Sequence, residues 1–242
     1  MRFFKPIAIL MIAVSLLTLS SCRKVNKKYG VQSDAQITES VADQKVLPEI
    51  ISLDSKMSKY FDISLFDEEN YSDIYLGRKY EIKANFAGTD FSVPTTIEEI
   101  AANGWKLLDG SDYDENSLIY AKETVELKFK NEDGAKITAL FYNSSNSSIR
   151  LFKCDIVKFR ISNNYFKNKE KYSSFNVNGV TNTSVVTDVI SILGTPSHFY
   201  KKTENTYYFD YFIKKSDRRN KIRVYVDLED DAVTAVEFSK YK

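Results

Sequence analysis

From Ser117 onward the chain reads as a series of short stretches in which apolar and polar residues alternate. "TVELKFK", "KITALFY" and "IRLFKCDIVKFRI" form a first group, after a shorter "SLIYAK"; "TYYFDYFIK", "KIRVYVDL" and "AVTAVEFS" form a second. Period-two alternation of this length predicts half-buried strands, and the polar runs between them ("KNEDGAK", "KKSDRRNK", "LEDDAV") predict hairpin connections. Each group follows a segment with helical spacing. In "FSVPTTIEEIAANGW", Phe91 to Trp105, a short strand leads to Thr95 or Thr96, with Glu98 or Glu99 behind it as a capping pair, and Gly104 stops the helix. "FNVNGVTNTSVVTDVISILGTP", Phe175 to Pro196, has the same order, with Thr183 or Ser184 as cap and Gly194 and Pro196 at the end. A further helix is predicted over 48–61, where Pro48 suits the first turn and Ile50, Ile51, Leu53, Met57, Tyr60 and Phe61 recur at helical spacing.

Helix followed by antiparallel strands, twice over, predicts an α+β fold. The expectation is two tandem modules, each a short helical element packed on a three- to four-stranded antiparallel sheet, over residues 46–170 and 171–242. The stretch before them, "RKVNKKYGVQSDAQITESVADQK", is polar and almost without large aliphatics, so it cannot bury enough surface to offset its chain entropy. Residues 22–45 are therefore expected to form a flexible tether, reaching on the order of 25 Å as a coil. Over about residues 80–242 the order of elements and the "ILGTP" helix end resemble the tandem modules of β-lactamase inhibitor proteins and the small lipoprotein fold of the outer-membrane assembly factor BamE. That resemblance implies a binding role. The inhibitor family usually carries disulfides within its modules, and this chain, with only Cys22 and Cys154, departs from that pattern.

The amino terminus changes the picture from fold to location. Arg2 and Lys5 precede an apolar run from Ile7 to Leu19, 13 residues long, which is short of the roughly 20 that cross a bilayer core. A basic start, a short apolar run and small residues before a cleavage point describe a secretory signal over residues 1–21. Leu19-Ser20-Ser21-Cys22 resembles the lipobox of bacterial lipoproteins. The resemblance implies a diacylglyceryl group on the Cys22 sulfur, removal of the signal, and attachment to the outer side of the cell membrane through lipid chains. No other cofactor is expected.

Composition then removes classes of function. Cleavage takes away Arg2 and Lys5, leaving 32 basic and 33 acidic side chains, so no general pull toward nucleic acid is expected. Cys154 is left with no cysteine to pair with, and its place in "RLFKCDIVKF" puts it on one strand face with Phe152 and Ile156 as a small buried hydrophobe. One histidine and one free cysteine exclude the usual zinc sets. His198, in "LGTPSHFY", falls where a turn residue is expected, and no G-x-S-x-G stands elsewhere to offer it a nucleophile. The acidic run "DGSDYDENS" lacks the order of an EF-hand loop and needs no metal as a solvated connection.

Aromatic residues are in excess: 16 Tyr and 16 Phe against one Trp. In "TYYFDYFIK" Tyr207, Phe209, Tyr211 and Ile213 share one face, opposite Tyr208, Asp210, Phe212 and Lys214. In "IRVYVDL" Val224, Val226 and Leu228 oppose Arg223, Tyr225 and Asp227. Tyrosine with arginine is the composition of protein-interface anchors, so Tyr208, Phe212, Arg223, Tyr225 and Asp227 form a candidate protein-binding face. The same rings could instead be buried between two packed units. The expected function is non-catalytic binding of a protein or envelope component by a membrane-anchored lipoprotein. A structural or chaperone-like part of an envelope assembly is the alternative, and a hydrolase with an unrecognised site the second.

Overall fold

The computed structural model describes residues 56–108, 112–162 and 174–242. The expected signal, Cys22, the tether and most of the 48–61 helix lie outside the described residues. The end of that helix is present as a turn in which the Met57 carbonyl accepts from the amides of Tyr60 (2.9 Å) and Phe61 (3.3 Å). Both Met57 and Phe61 are buried.

The alternating stretches form strands with the expected pleat. In β5 (Thr124–Lys130) only Val125, Leu127 and Phe129 are buried. Strand β6 (Lys136–Tyr142) returns beside it, and β8 (Asp155–Ser162) beside β6, while β3 (Lys106–Leu107) adds a short outer edge. Farther along, β11 (His198–Lys201), β12 (Thr206–Phe212), β13 (Lys221–Asp227) and β14 (Ala232–Ser239) make a second antiparallel meander. These two sets form one sheet. Strand β14 pairs with β8 antiparallel, from Ala235 opposite Ser162 to Ser239 opposite Lys158, giving eight strands in the order β11-β12-β13-β14-β8-β6-β5-β3.

A second sheet is built from two hairpins. β1 (Ala84–Phe86) and β2 (Thr89–Phe91) turn through Ala87-Gly88, and β9 (Phe175–Val177) and β10 (Val180–Thr181) turn through Asn178-Gly179. All four turn residues have positive φ (52°, 77°, 52° and 96°), the two-residue turn that matches strand twist and that Asn-Gly favours. The hairpins join through β1 and β9, with Asn85 opposite Asn176. Two residues each in β4 (Leu118–Ile119) and β7 (Ile149–Arg150) make the third sheet.

The α+β expectation is thereby corrected. The described residues hold fourteen strands in three antiparallel sheets and two α-helices, α1 (Ile97–Ala102) and α2 (Val186–Leu193), so the fold is β-rich. With six and eight residues, the helices are too short to cover an eight-stranded sheet. The small sheet shares the core with them: the Phe91 ring lies 5.0 Å from that of Phe159 in the middle of the large sheet, and Phe86 and Phe91 hold Trp105 between 5.6 and 5.4 Å. "FSV" at Phe91 is the end of a hairpin rather than a strand leading into the helix.

Local signals at the helix starts differ between the two. At α1, Thr96 and Glu99 form the expected capping box, each side chain accepting from the other's amide. At α2 the cap shifts past Thr183 and Ser184. Val185 N–H donates to Asp188, and Val186 N–H to Asp231 of the β13–β14 turn, at 3.1 and 3.2 Å. The Ser184 hydroxyl is taken up by the Thr181 amide.

Candidate binding face

Pleating gives the eight-stranded sheet a core side and an outer side. Tyr207, Phe209 and Tyr211 of β12 and Ile222, Val224 and Val226 of β13 belong to the core. Their neighbours point the other way, and the registers align them in rows across the strands. Tyr200 stands opposite Tyr208, Tyr208 opposite Tyr225, Tyr225 opposite Ala235, and Ala235 opposite Ser162. In the next row His198, Asp210, Arg223, Glu237, Arg160, Thr138 and Lys128 follow one another from β11 to β5. A third row runs Phe212, Lys221, Ser239, Lys158, Leu140, Glu126.

The three tyrosines form a ladder. Tyr200 and Tyr208 are stacked at 5.0 Å, and Tyr208 and Tyr225 lie 5.6 Å apart. Cations occupy the remaining ring faces: Arg223 lies 4.1 Å from the Tyr208 centroid, Arg160 4.7 Å and Lys202 5.3 Å from that of Tyr225. Such contacts contribute about 0.5–1 kcal/mol each at exposed sites. Exposure falls across the ladder, from 49% at Tyr200 to 7% at Tyr225.

Beneath the ladder sits an ionic node. Asp210 is 2% exposed, and its carboxylate accepts from both Nε and Nη2 of Arg223, the latter at 2.7 Å, and from Lys221 Nζ at 3.0 Å. Burial alone would raise the Asp210 carboxyl, but the Arg223 hydrogen bonds and the Lys221 and Arg223 charges outweigh it and hold it well below the ordinary carboxylate range. Burial would likewise lower the Arg223 guanidinium, and its bonds to Asp210 raise it above the usual value. Glu237, opposite Arg223, meets Lys158 at 3.4 Å.

The chain matches no family model, no curated protein and no solved structure. The candidate residues are thus placed by geometry alone. Tyr208, Arg223 and Tyr225 come together in the ladder and node. Phe212 is 2% exposed and lies on the same side, stacked at 6.2 Å on Tyr71, whose other neighbours are His198 at 4.1 Å and Arg218 at 3.9 Å. Asp227 stands apart at the β13–β14 turn, where its carboxylate accepts from the amides of Glu229 and Asp230. His198 is buried beneath Tyr71, its Nδ1 3.7 Å from Asp210 and without a hydrogen-bond partner. Cys154 is buried, and burial together with Asp155 pushes its thiol up to about 11.

Sequence reasoning missed Asp210 as the node, Tyr200 as the exposed end of the ladder, and Arg160 and Glu237 as its continuation. Alternation put Asp210 on the right face, but only register shows which residues it meets. A depression of about 630 Å³ lies elsewhere, between α1 and Phe152. No group of three or more His, Cys, Asp or Glu among the described residues could hold a metal, and no helix among them is long and apolar enough to cross a membrane.

Proposed function

We propose that the protein is a lipid-anchored, extracytoplasmic lipoprotein whose folded part binds a protein ligand, without catalysis, through the outer side of the eight-stranded sheet. The observation that carries this is the Tyr200–Tyr208–Tyr225 ladder with Arg160, Arg223 and Lys202 on its rings, on the outer side of the sheet. Tyrosine and arginine held rigid on strands lose little conformational freedom on binding and supply the contacts that dominate interface energies. The sole histidine supports the non-catalytic reading, since its ring is stacked on Tyr71 and buried beside an already paired carboxylate. Cys22, in its lipobox-like setting, supports the anchor.

Two experiments test this. Metabolic labelling with a fatty acid should mark the wild-type chain and leave Cys22→Ala unmarked and released from the membrane; equal labelling of both removes the anchor. The chain from residue 23 onward, used as bait in envelope extract and culture medium, should hold a stoichiometric protein. Tyr200→Ala, at a half-exposed position, should weaken that capture with the fold intact, and Tyr208→Ala/Tyr225→Ala should abolish it. Undiminished capture by all of these variants moves the site elsewhere, and the absence of any captured protein removes the protein-binding reading.

A further inference from the structure

The two hairpins of the small sheet are built alike and end differently. Each turns through two residues, and each has its second strand at an outer edge, in the order β10-β9-β1-β2. Counted from the turn, Asp90 of β2 corresponds to Thr181 of β10. Antiparallel pairs alternate between those that exchange hydrogen bonds and those that do not, which decides where each backbone group faces. The Asn178 amide donates to the Lys83 carbonyl at 2.8 Å, and the Ala87 amide to that of Ser174 at 3.3 Å. Lys83, Asn85 and Ala87 therefore bond toward β9, and Ala84 and Phe86 toward Phe91 and Thr89 of β2. Asp90, opposite Asn85, is left with its N–H and C=O turned away from the sheet, and Ser92 follows two residues on.

At the β10 edge the chain itself takes up these groups. The Thr181 amide donates to the Ser184 hydroxyl at 3.0 Å, and the Thr181 carbonyl accepts from the Ser184 amide at 3.2 Å. The β2 edge has no such closure: among the described residues the backbone groups of Asp90 and Ser92 meet no partner. Beside this edge lies a depression of about 270 Å³, shared with the flank of α1. Buried Phe91 and Ile100 line it, with Glu99 and Asn103 on the helix side. An open edge along a groove suits an extended segment added to the sheet, whose main-chain hydrogen bonds give affinity and whose alternate side chains give specificity.

Charge narrows the partner. The Asp90 carboxylate accepts from the Asn85 amide group at 2.7 Å, and that of Glu99 from the Thr95 hydroxyl and the Thr96 amide. All three donors are uncharged, and among the described residues no basic side chain lines the groove. Two copies of the chain joined about this short edge would set Asp90 against Asp90. Like charges directly opposite are destabilising, whereas opposite charges attract, so the edge selects against its own copy. We infer that β2 takes up an extended segment of a partner protein, antiparallel, as a fifth strand of the small sheet. A lysine or arginine of that segment stands opposite Asp90, and the apolar side chains flanking it turn toward Phe91 and Ile100. This site shares no residue with the tyrosine ladder, and the two readings stand or fall separately.

The test uses the purified full chain in detergent and a fluorescein-labelled, end-blocked peptide that alternates lysine with valine. Its binding should slow amide hydrogen exchange at Asp90 and Ser92. In antiparallel pairing the residue opposite Asp90 exchanges both backbone hydrogen bonds with it, so the lysine amides face β2 and the valine amides face away. N-methylation of the lysine residues should therefore cost at least about tenfold in affinity, and N-methylation of the valine residues much less. Glutamate in place of lysine should likewise cost at least about fivefold. Ser92→Pro removes one edge donor where proline is tolerated, and Asp90→Lys reverses the charge; each should lose at least about fivefold with an unchanged circular dichroism spectrum. Failure of the lysine peptide to bind, equal binding of the glutamate peptide, equal loss from the two N-methylated forms, full affinity in both variants, or protection of amides elsewhere in place of Asp90 and Ser92 overturns the inference.

Discussion

The two halves of the large sheet have the same frame and different outer sides. In each, the second and third strands carry a register that starts alike, Thr124 opposite Tyr142 and Thr206 opposite Asp227. In each, the register slips at one place, Leu140/Phe141 and Tyr225/Val226, and resumes with Phe141 on Ile156 and Val226 on Val233. Gly104 and Gly194 end the two helices with φ of 82°. By these marks Val125, Leu127 and Phe129 correspond to Tyr207, Phe209 and Tyr211, and all six are buried. The outward residues do not correspond in kind: Lys128 stands where Asp210 stands, Thr138 where Arg223 stands, Glu126 and Leu140 where Tyr208 and Tyr225 stand. A core position must stay apolar to be buried, whereas an outer position is constrained only by what it meets. The core side keeps large apolar or aromatic residues in both halves, and the exchange of charged for uncharged residues falls on the outer side.

Breaking the node should expose the largest difference between the halves. Arg223→Ala leaves Asp210 buried with only Lys221 and should cost about 3–5 kcal/mol in urea unfolding. Lys128→Ala, at the position corresponding to Asp210 in the other half, is exposed and should cost under about 1 kcal/mol. Equal costs would mean that the node does not set the halves apart.

Acid titration sharpens the same contrast. The Asp210 carboxyl is held below its ordinary value of 3.8, so its stabilisation is complete above about pH 4 and is lost as pH falls toward the folded-state value. The wild type should lose stability on acidification, and Asp210→Asn, less stable at neutral pH, should show a flatter acid limb. Parallel curves would remove the node from the pH dependence.

Smaller effects belong to the frame. Asp231→Ala deletes the acceptor at the start of α2 and should lower stability by about 1 kcal/mol, as loss of a cap does. Cys154, with its thiol at about 11, should resist a thiol reagent at pH 8 until the chain unfolds. Rapid labelling of the native protein would show that the β7–β8 connection opens locally.

Much of this was legible in the chain. Alternation in "TVELKFK" and "TYYFDYFIK" assigned both strands and their buried faces, and it placed Tyr208, Phe212, Arg223 and Tyr225 on the outer side. Thr95 or Thr96 with Glu98 or Glu99 announced a helix start, and the structure forms it with Thr96 and Glu99. The hairpin turns were legible too, in "NVNGV", but three-residue strands carry too little periodicity to stand out beside a helix signal, and the small sheet was passed over.

Local order and alternation were determined by the sequence itself, because whether a side chain lies on one face or the other of a strand depends only on its place in the pleat. Pairing was not. Which edges meet, β8 with β14 and β1 with β9, is decided between residues far apart in the chain by burial and by the need to satisfy edge hydrogen bonds. That choice made one β-rich sheet out of what reads as two helix-covered modules. It also aligned Tyr200, Tyr208 and Tyr225 in a single row, a juxtaposition that only the tertiary structure creates.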